Sequence, residues 1–207
     1  MNTTVVILAK SVKKGMHCVA GKEVNSRKWI RPVSSVEGAE LSDQQCMYVN
    51  PYGRYNAKPL QKIEMNFSRP VPLVNQPENF LVSDQCWRQR YKIEADDLSY
   101  FLDTPDDLWG EGKSVSYAQI KSGAIKIRQS LYLIQADNLQ LKMINGKRRA
   151  IFNYADINYD LPVTDPNFAN KLARPGNQQI LCVSLAEKYD PCGGDNYSCY
   201  KVVASIF

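Results

Sequence analysis

The chain has 207 residues, 44% of them hydrophobic and 23% charged, and carries a formal net charge of +5. Those fractions are globular ones, so disorder is not the default and there is room for one large or two small domains. The sequence pI near 8.8 falls short of the value above about 9 expected of a strongly nucleic-acid-binding domain, so an anionic partner is permitted without being demanded.

The opening MNTTVVILAK has no basic region before its apolar run, which Lys10 interrupts; it reads as a strand over 3–9, not a signal peptide. No apolar stretch reaches the roughly 18 residues of a membrane span, so a cytoplasmic protein without a membrane partner is expected. HCVAG (17–21) and KWIRPV (28–33) are the next strand candidates. If NSRKWIRPVS is extended, Arg27, Trp29, Arg31 and Val33 share one face, and Lys28, Ile30 and Pro32 the other. A flat ring between two guanidinium groups suits base stacking. A half-buried Trp flanked by snorkelling cations is the competing reading. The NPYGRY loop adds Tyr52, Arg54 and Tyr55, again cations beside aromatics.

LQKIEMNF (60–67) is a further strand, and SRPVPLVNQPENF (68–80), with three prolines, is an extended crossing segment. DDLSYFL (96–102) has the acidic start of a helix limited by Pro105, and VSYAQIKSG (115–123) ends on a glycine suited to a helix C-cap. AIKIR (124–128), SLYLIQA (130–136), LQLKM (139–143), RAIFNY (149–154), ILCVSL (180–185) and YKVVASIF (200–207) complete the strand candidates. In VTDPNFANKLA (163–173), Asp165 is a good N-cap with Pro166 at the first helical position. Ten or so short strands favour barrels or sandwiches over βαβ units, and two barrels of about five strands each fit the count.

One hairpin can be read in register. Asn145-Gly146 between alternating runs is a strong two-residue turn signal. It sets Ile144 against Lys147, Met143 against Arg148, Lys142 against Arg149 and Gln140 against Ile151. Leu139, Leu141, Met143, Ala150 and Phe152 then form the buried face, with Arg148 at its rim. Lys142 opposite Arg149, with Lys147 beside them, is a like-charge cluster that an anion would relieve, unless the side chains simply splay into water.

Catalytic chemistry is not specified. The only histidine, His17, and its neighbour Cys18 would point to opposite faces of a strand, and no GxGxxG, Walker A, GxSxG or HExxH occurs. The acidic pairs Asp96-Asp97 and Asp106-Asp107 precede helical pieces, where capping explains them. Six scattered cysteines without CxxC spacing read as reduced thiols, and no metal site or cofactor is expected.

CVAGKEV…KWIRPVS (18–34), YDLPVTDP (159–166) and LCVSLAEKY…YKVVASIF (181–207) together resemble the dual OB-containing domain family. The resemblance spans essentially the whole chain, with its specific matches at the two ends. It implies two OB-type barrels and nucleic-acid binding, often in prokaryotic genome defence, with partner proteins of a defence operon. One departure is Ala186, where the family pattern has glycine after CVSL.

The expected fold is therefore mainly β: an OB-like barrel over 1–95, a helical connector over 96–123 and a second barrel over 124–207. The expected function is non-catalytic binding of single-stranded or structured nucleic acid. Its candidate contacts are Arg27, Lys28, Trp29, Arg31, Tyr52, Arg54, Tyr55, Lys142, Lys147 and Arg149. The rivals are a sensor of a nucleotide-like anion, an enzyme on a modified nucleotide with Cys18 or Cys46 as nucleophile, and a protein–protein adaptor.

Overall fold

The computed structural model describes residues 1–13, 15–173 and 179–207. The chain falls into two compact units: Met1–Leu73 with Glu78–Phe101, and Val74–Pro77 with Leu102–Phe207. No helix among the described residues is long and apolar enough to cross a membrane.

Unit 1 contains β1 (Asn2–Lys13), β2 (Met16–Glu23), β3 (Trp29–Val33), β4 (Met47–Asn50), β5 (Gly53–Asn56), β6 (Gln61–Pro70), β7 (Asn79–Val82) and β8 (Trp87–Lys92), then a 3-10 helix, Ala95–Phe101. The strand β1 pairs antiparallel with β2 and also with β6. Next, β2 pairs with β3, β3 runs parallel to β7, and β7 returns antiparallel to β6. Five strands thus close on themselves, the third and fifth parallel, which is the order of an OB barrel. Val5, Ile7, Val19, Ile30, Ile63, Met65 and Phe67 fill it. Closure requires β1 to lie hard against β2. A Cβ on Gly21 would stand 2.0 Å from the Val6 carbonyl oxygen, so the glycine of CVAG is a packing requirement. Outside the barrel, β8 continues the sheet from β6 to the β4–β5 hairpin.

Unit 2 contains β9 (Ser114–Ser116), α1 (Tyr117–Ser122), β10 (Leu131–Gln135), β11 (Asp137–Ile144), β12 (Lys147–Tyr154), β13 (Ile157–Pro162), α2 (Phe168–Ala173), β14 (Ile180–Tyr189) and β15 (Ser198–Ile206). Here β10 and β11, separated only by Ala136, act as one bent first strand. It pairs with β14 through β10 and with β12 through β11; β12 pairs with β13, and β14 with β15. A parallel bridge from Val163 to Val203 joins the third strand to the fifth. The order matches unit 1, with α2 between the third and fourth strands. Ala150, Phe152, Tyr159, Leu161, Leu181 and Val203 lie in its core.

The family-like motifs are explained by these joints. The buried Asp165 of VTDP accepts from Asn167 N–H at 2.7 Å and from Ile206 N–H at 2.9 Å, tying the start of α2 to the end of β15. Ala186 sits at a bulge between Leu185 and Lys188 and has no positive φ, so alanine fits there.

The chain is mainly β with two OB-type barrels and few helices, as its strand count predicts. Individual elements differ. AIKIR (124–128) is irregular, because Gly123 ends α1 in the left-handed region at φ 81° and buried Ile127 packs against Val115 and Leu185 instead of joining a ladder. The last helix starts at Phe168, three residues after Asp165, which caps a turn before it. Met143, expected in the buried face, is 51% exposed, since it lies at the outer end of the hairpin. The pieces β4, β5, β7, β8, β9 and β13 are strands that short length and polar content hide in the sequence.

Candidate nucleic-acid interface

An OB barrel binds oligonucleotides on the outer face of its second and third strands and in the flanking loops. In unit 1 that face belongs to β2 and β3. Ile30 opposes Gly21 and enters the core, so Trp29, opposite Lys22, points outward. Yet Trp29 is only 5% exposed and Lys22 only 2%. The Lys22 ammonium donates to the Phe101 carbonyl at 2.7 Å and stands 5.2 Å from the centre of the Trp29 ring. Arg27 places its guanidinium 5.0 Å from the Tyr100 ring. The 3-10 helix of unit 1 therefore covers the face where an oligonucleotide would stack. The expected Trp29 platform is a buried packing residue.

The expected Arg27–Trp29–Arg31 row also dissolves. Arg27 has φ 57° and lies in the turn before β3, so only Trp29, Arg31 and Val33 alternate together. Arg31 Nε donates to Glu78 Oε1 at 3.2 Å, and both side chains are mostly buried. Lys28 is exposed beside the turn.

NPYGRY is a hairpin rather than a loop, with Tyr52 at its tip, 86% exposed. Tyr55 donates its hydroxyl to the Tyr52 carbonyl at 3.0 Å and packs 6.1 Å from Tyr48. Arg54 faces Val49, which faces Arg88, which faces Glu64, so two exposed arginines lie in one outward row across β5, β4, β8 and β6. Arg90 pairs with Glu64, and Tyr91, 75% exposed, lies opposite Lys62. WRQRYK (87–92) supplies three of these residues and was not among the strands read from the sequence; its Trp87-in, Arg88-out alternation is the signal for them.

In unit 2 the corresponding face is exposed at Gln140, Lys142, Ile144 and Lys147. The register 140–151 is the one the NG turn predicts, with Lys142 opposite Arg149 and Ile144 opposite Lys147. Gln140, Lys142, Ile144, Lys147, Arg149 and Ile151 line this outer face. Lys142 and Lys147 are exposed, without a hydrogen-bond or ion-pair partner among the described residues. The like-charge repulsion is settled internally. Arg149 donates to Asp160 Oδ1 and to the Asp160 carbonyl at 2.8 and 2.6 Å, from a strand the hairpin reading did not include. Arg149, with Lys113 3.7 Å away, holds the Asp160 carboxyl below the ordinary carboxylate range.

The loop between β14 and β15, which flanks this face in an OB barrel, carries tyrosines that sequence reading passed over. Lys188 stands 5.1 Å from the ring centres of both Tyr117 and Tyr197, and Tyr189, 61% exposed, packs edge-on against Tyr200. Asp190 organises the loop by accepting backbone N–H groups of Cys192, Gly194 and Asn196, which lowers its carboxyl below the usual range.

Elsewhere in unit 2 a polar cavity of about 520 Å³ is lined by Asp137, Asn138, Asn153, Asp156, Asn158 and Gln179. Among the described residues its lining offers two carboxylates and no cation, which makes it a poor host for an anion. Cys46, the other nucleophile candidate besides Cys18, is fully buried, and burial pushes its thiol up and away from the reactive thiolate.

Two barrels of this order in one chain define a tandem OB-fold protein. The chain belongs to the dual OB-containing domain family, whose model matches residues 3–206. No curated protein and no solved structure matches it.

Proposed function

We propose that this protein binds single-stranded or structured nucleic acid without catalysis, chiefly through the outer face of β11, β12 and β13. The single observation that carries the reading is Lys142 and Lys147 standing exposed and unpartnered, among the described residues, on an OB sheet face whose remaining cation, Arg149, is already neutralised by Asp160. Phosphates would meet the two lysines, Ile144 and Ile151 would offer apolar contact, and Tyr189 would stack a base at the edge. The outward row of Arg54 and Arg88 in unit 1 is a second, weaker phosphate track. Partner proteins of a defence operon belong to this proposal on the family resemblance alone.

The test is fluorescence anisotropy of labelled DNA and RNA oligonucleotides at about 50 and 200 mM salt. Saturable binding that weakens steeply with salt is expected, with loss of affinity in the double variant Lys142→Glu/Lys147→Glu. Absence of binding at the lower salt, or an unchanged affinity in that variant, contradicts the proposal.

A further inference from the structure

Away from both faces, three donor side chains of different chemistry converge in unit 1. His17 is 8% exposed, and its Nε2 stands 2.6 Å from Asp43 Oδ1. Its Nδ1 is buried and makes no hydrogen bond among the described residues. The fully buried Cys46 thiol has two acceptors within reach of its one proton, the Asp43 carbonyl at 3.3 Å and Asn56 Oδ1 at 3.0 Å. One donor atom from each of His17, Asp43 and Cys46 lies within 4.8 Å of the other two.

The scaffold around them is fixed. His17 and Leu41 exchange backbone hydrogen bonds at 2.8 and 2.9 Å. Ser42 and Gln45 bond each other reciprocally, and Cys46 N–H reaches the Ser42 carbonyl at 3.2 Å. The turn therefore holds Asp43 and Cys46 against the strand that carries His17.

We propose that His17, Asp43 and Cys46 form a site for a divalent cation of the zinc class, with the Asn56 carbonyl as a neighbouring fourth donor. A tetrahedral ion with bonds of about 2.0–2.3 Å keeps its donors roughly 3.3–3.8 Å apart, so small side-chain movements complete the geometry. Imidazole and thiolate select zinc or cobalt over magnesium or calcium. Binding releases the thiol proton, and the ring proton now shared with Asp43 passes to Nδ1. Thiolate and carboxylate then balance the ion's two charges. Two features weaken the site. The charge of Lys10 is felt at both Cys46 and Asp43, and among the described residues Nδ1 lacks the acceptor that usually orients a ligating ring. That missing partner is worth about 10- to 100-fold in affinity.

The test uses the full chain with the exposed thiols removed (Cys86→Ser and Cys192→Ser), stripped of metal and titrated with Co²⁺. The expected result is one equivalent bound with a thiolate-to-cobalt charge-transfer band, displaced by Zn²⁺. The band is lost in Cys46→Ser. Asp43→Asn, at an exposed side chain whose loss spares the core, weakens affinity about 10-fold or more, and Lys10→Met strengthens it. No band, a band that survives Cys46→Ser, or unchanged affinity in Asp43→Asn overturns the proposal. The Asp43→Asn arm decides alone if circular dichroism shows that Cys46→Ser does not fold.

Discussion

The Lys22 ammonium bridges the Trp29 ring, 5.2 Å from its centre, and the Phe101 carbonyl, 2.7 Å away. A buried ammonium is tolerable because the carbonyl and the π-face replace its water. The pair also fastens the 3-10 helix over the face where an OB barrel usually binds its ligand.

Trp29→Ala is therefore expected to cost stability, not merely binding. Emptying a buried Trp site costs about 3–5 kcal/mol. Lys22→Ala, which leaves the Phe101 carbonyl without its donor, costs about 1–3 kcal/mol. Urea unfolding measures both. Trp29→Phe, which keeps the site filled, should leave oligonucleotide affinity within about twofold. A large affinity loss in that folded variant would restore Trp29 as a stacking residue.

Asp160 gives a signature in acid. Its carboxyl titrates below its ordinary value of 3.8 when folded, first because Arg149 donates to it. A lowered folded value means a contribution complete above 3.8 and lost as pH falls through the folded value. Asp160→Asn should thus be less stable than the native chain at neutral pH, with the gap closing as pH falls from 3.8 through the folded value. Urea midpoints that stay equally far apart across that range would contradict the pairing.

Lys201 gives the opposite limb. It is fully buried, donates to the Gly110 and Glu111 carbonyls, and burial pushes it down from 10.5 to about 8. Between those values the unfolded chain holds a proton that the folded chain does not, so stability from this group rises with pH. Tyr132, pushed up from 10.0 to about 12, acts in the reverse sense above its unfolded value, because there the folded chain keeps the proton. The native chain should therefore gain on Lys201→Met between about pH 8 and pH 10. Parallel stability curves would show that Lys201 is not desolvated.

Local chemistry made parts of this legible in the sequence. Asn145-Gly146 sets the register of its hairpin because a two-residue turn leaves one pairing that buries Ala150 and Phe152. Gly123 ends α1 as its position suggests. What stayed hidden depended on distant partners. Nothing near Lys22 announces that it will donate to the Phe101 carbonyl, and nothing near Arg149 announces Asp160, because both pairings are made by the fold. The donors on either side of the His17–Asp43 contact are 26 residues apart, so no motif spacing exposes them.

Nucleic-acid binding through unit 2 is tested most directly by the salt dependence of oligonucleotide binding in two double variants. Removing one cation that neutralises a phosphate should lower the slope of log affinity against log salt by about one. Lys142→Ala/Lys147→Ala should therefore reduce it by about two, and Arg54→Ala/Arg88→Ala by less. A full slope in the lysine pair, with the reduction confined to the arginine pair, would place the interface on unit 1 and rule out the β11–β13 face.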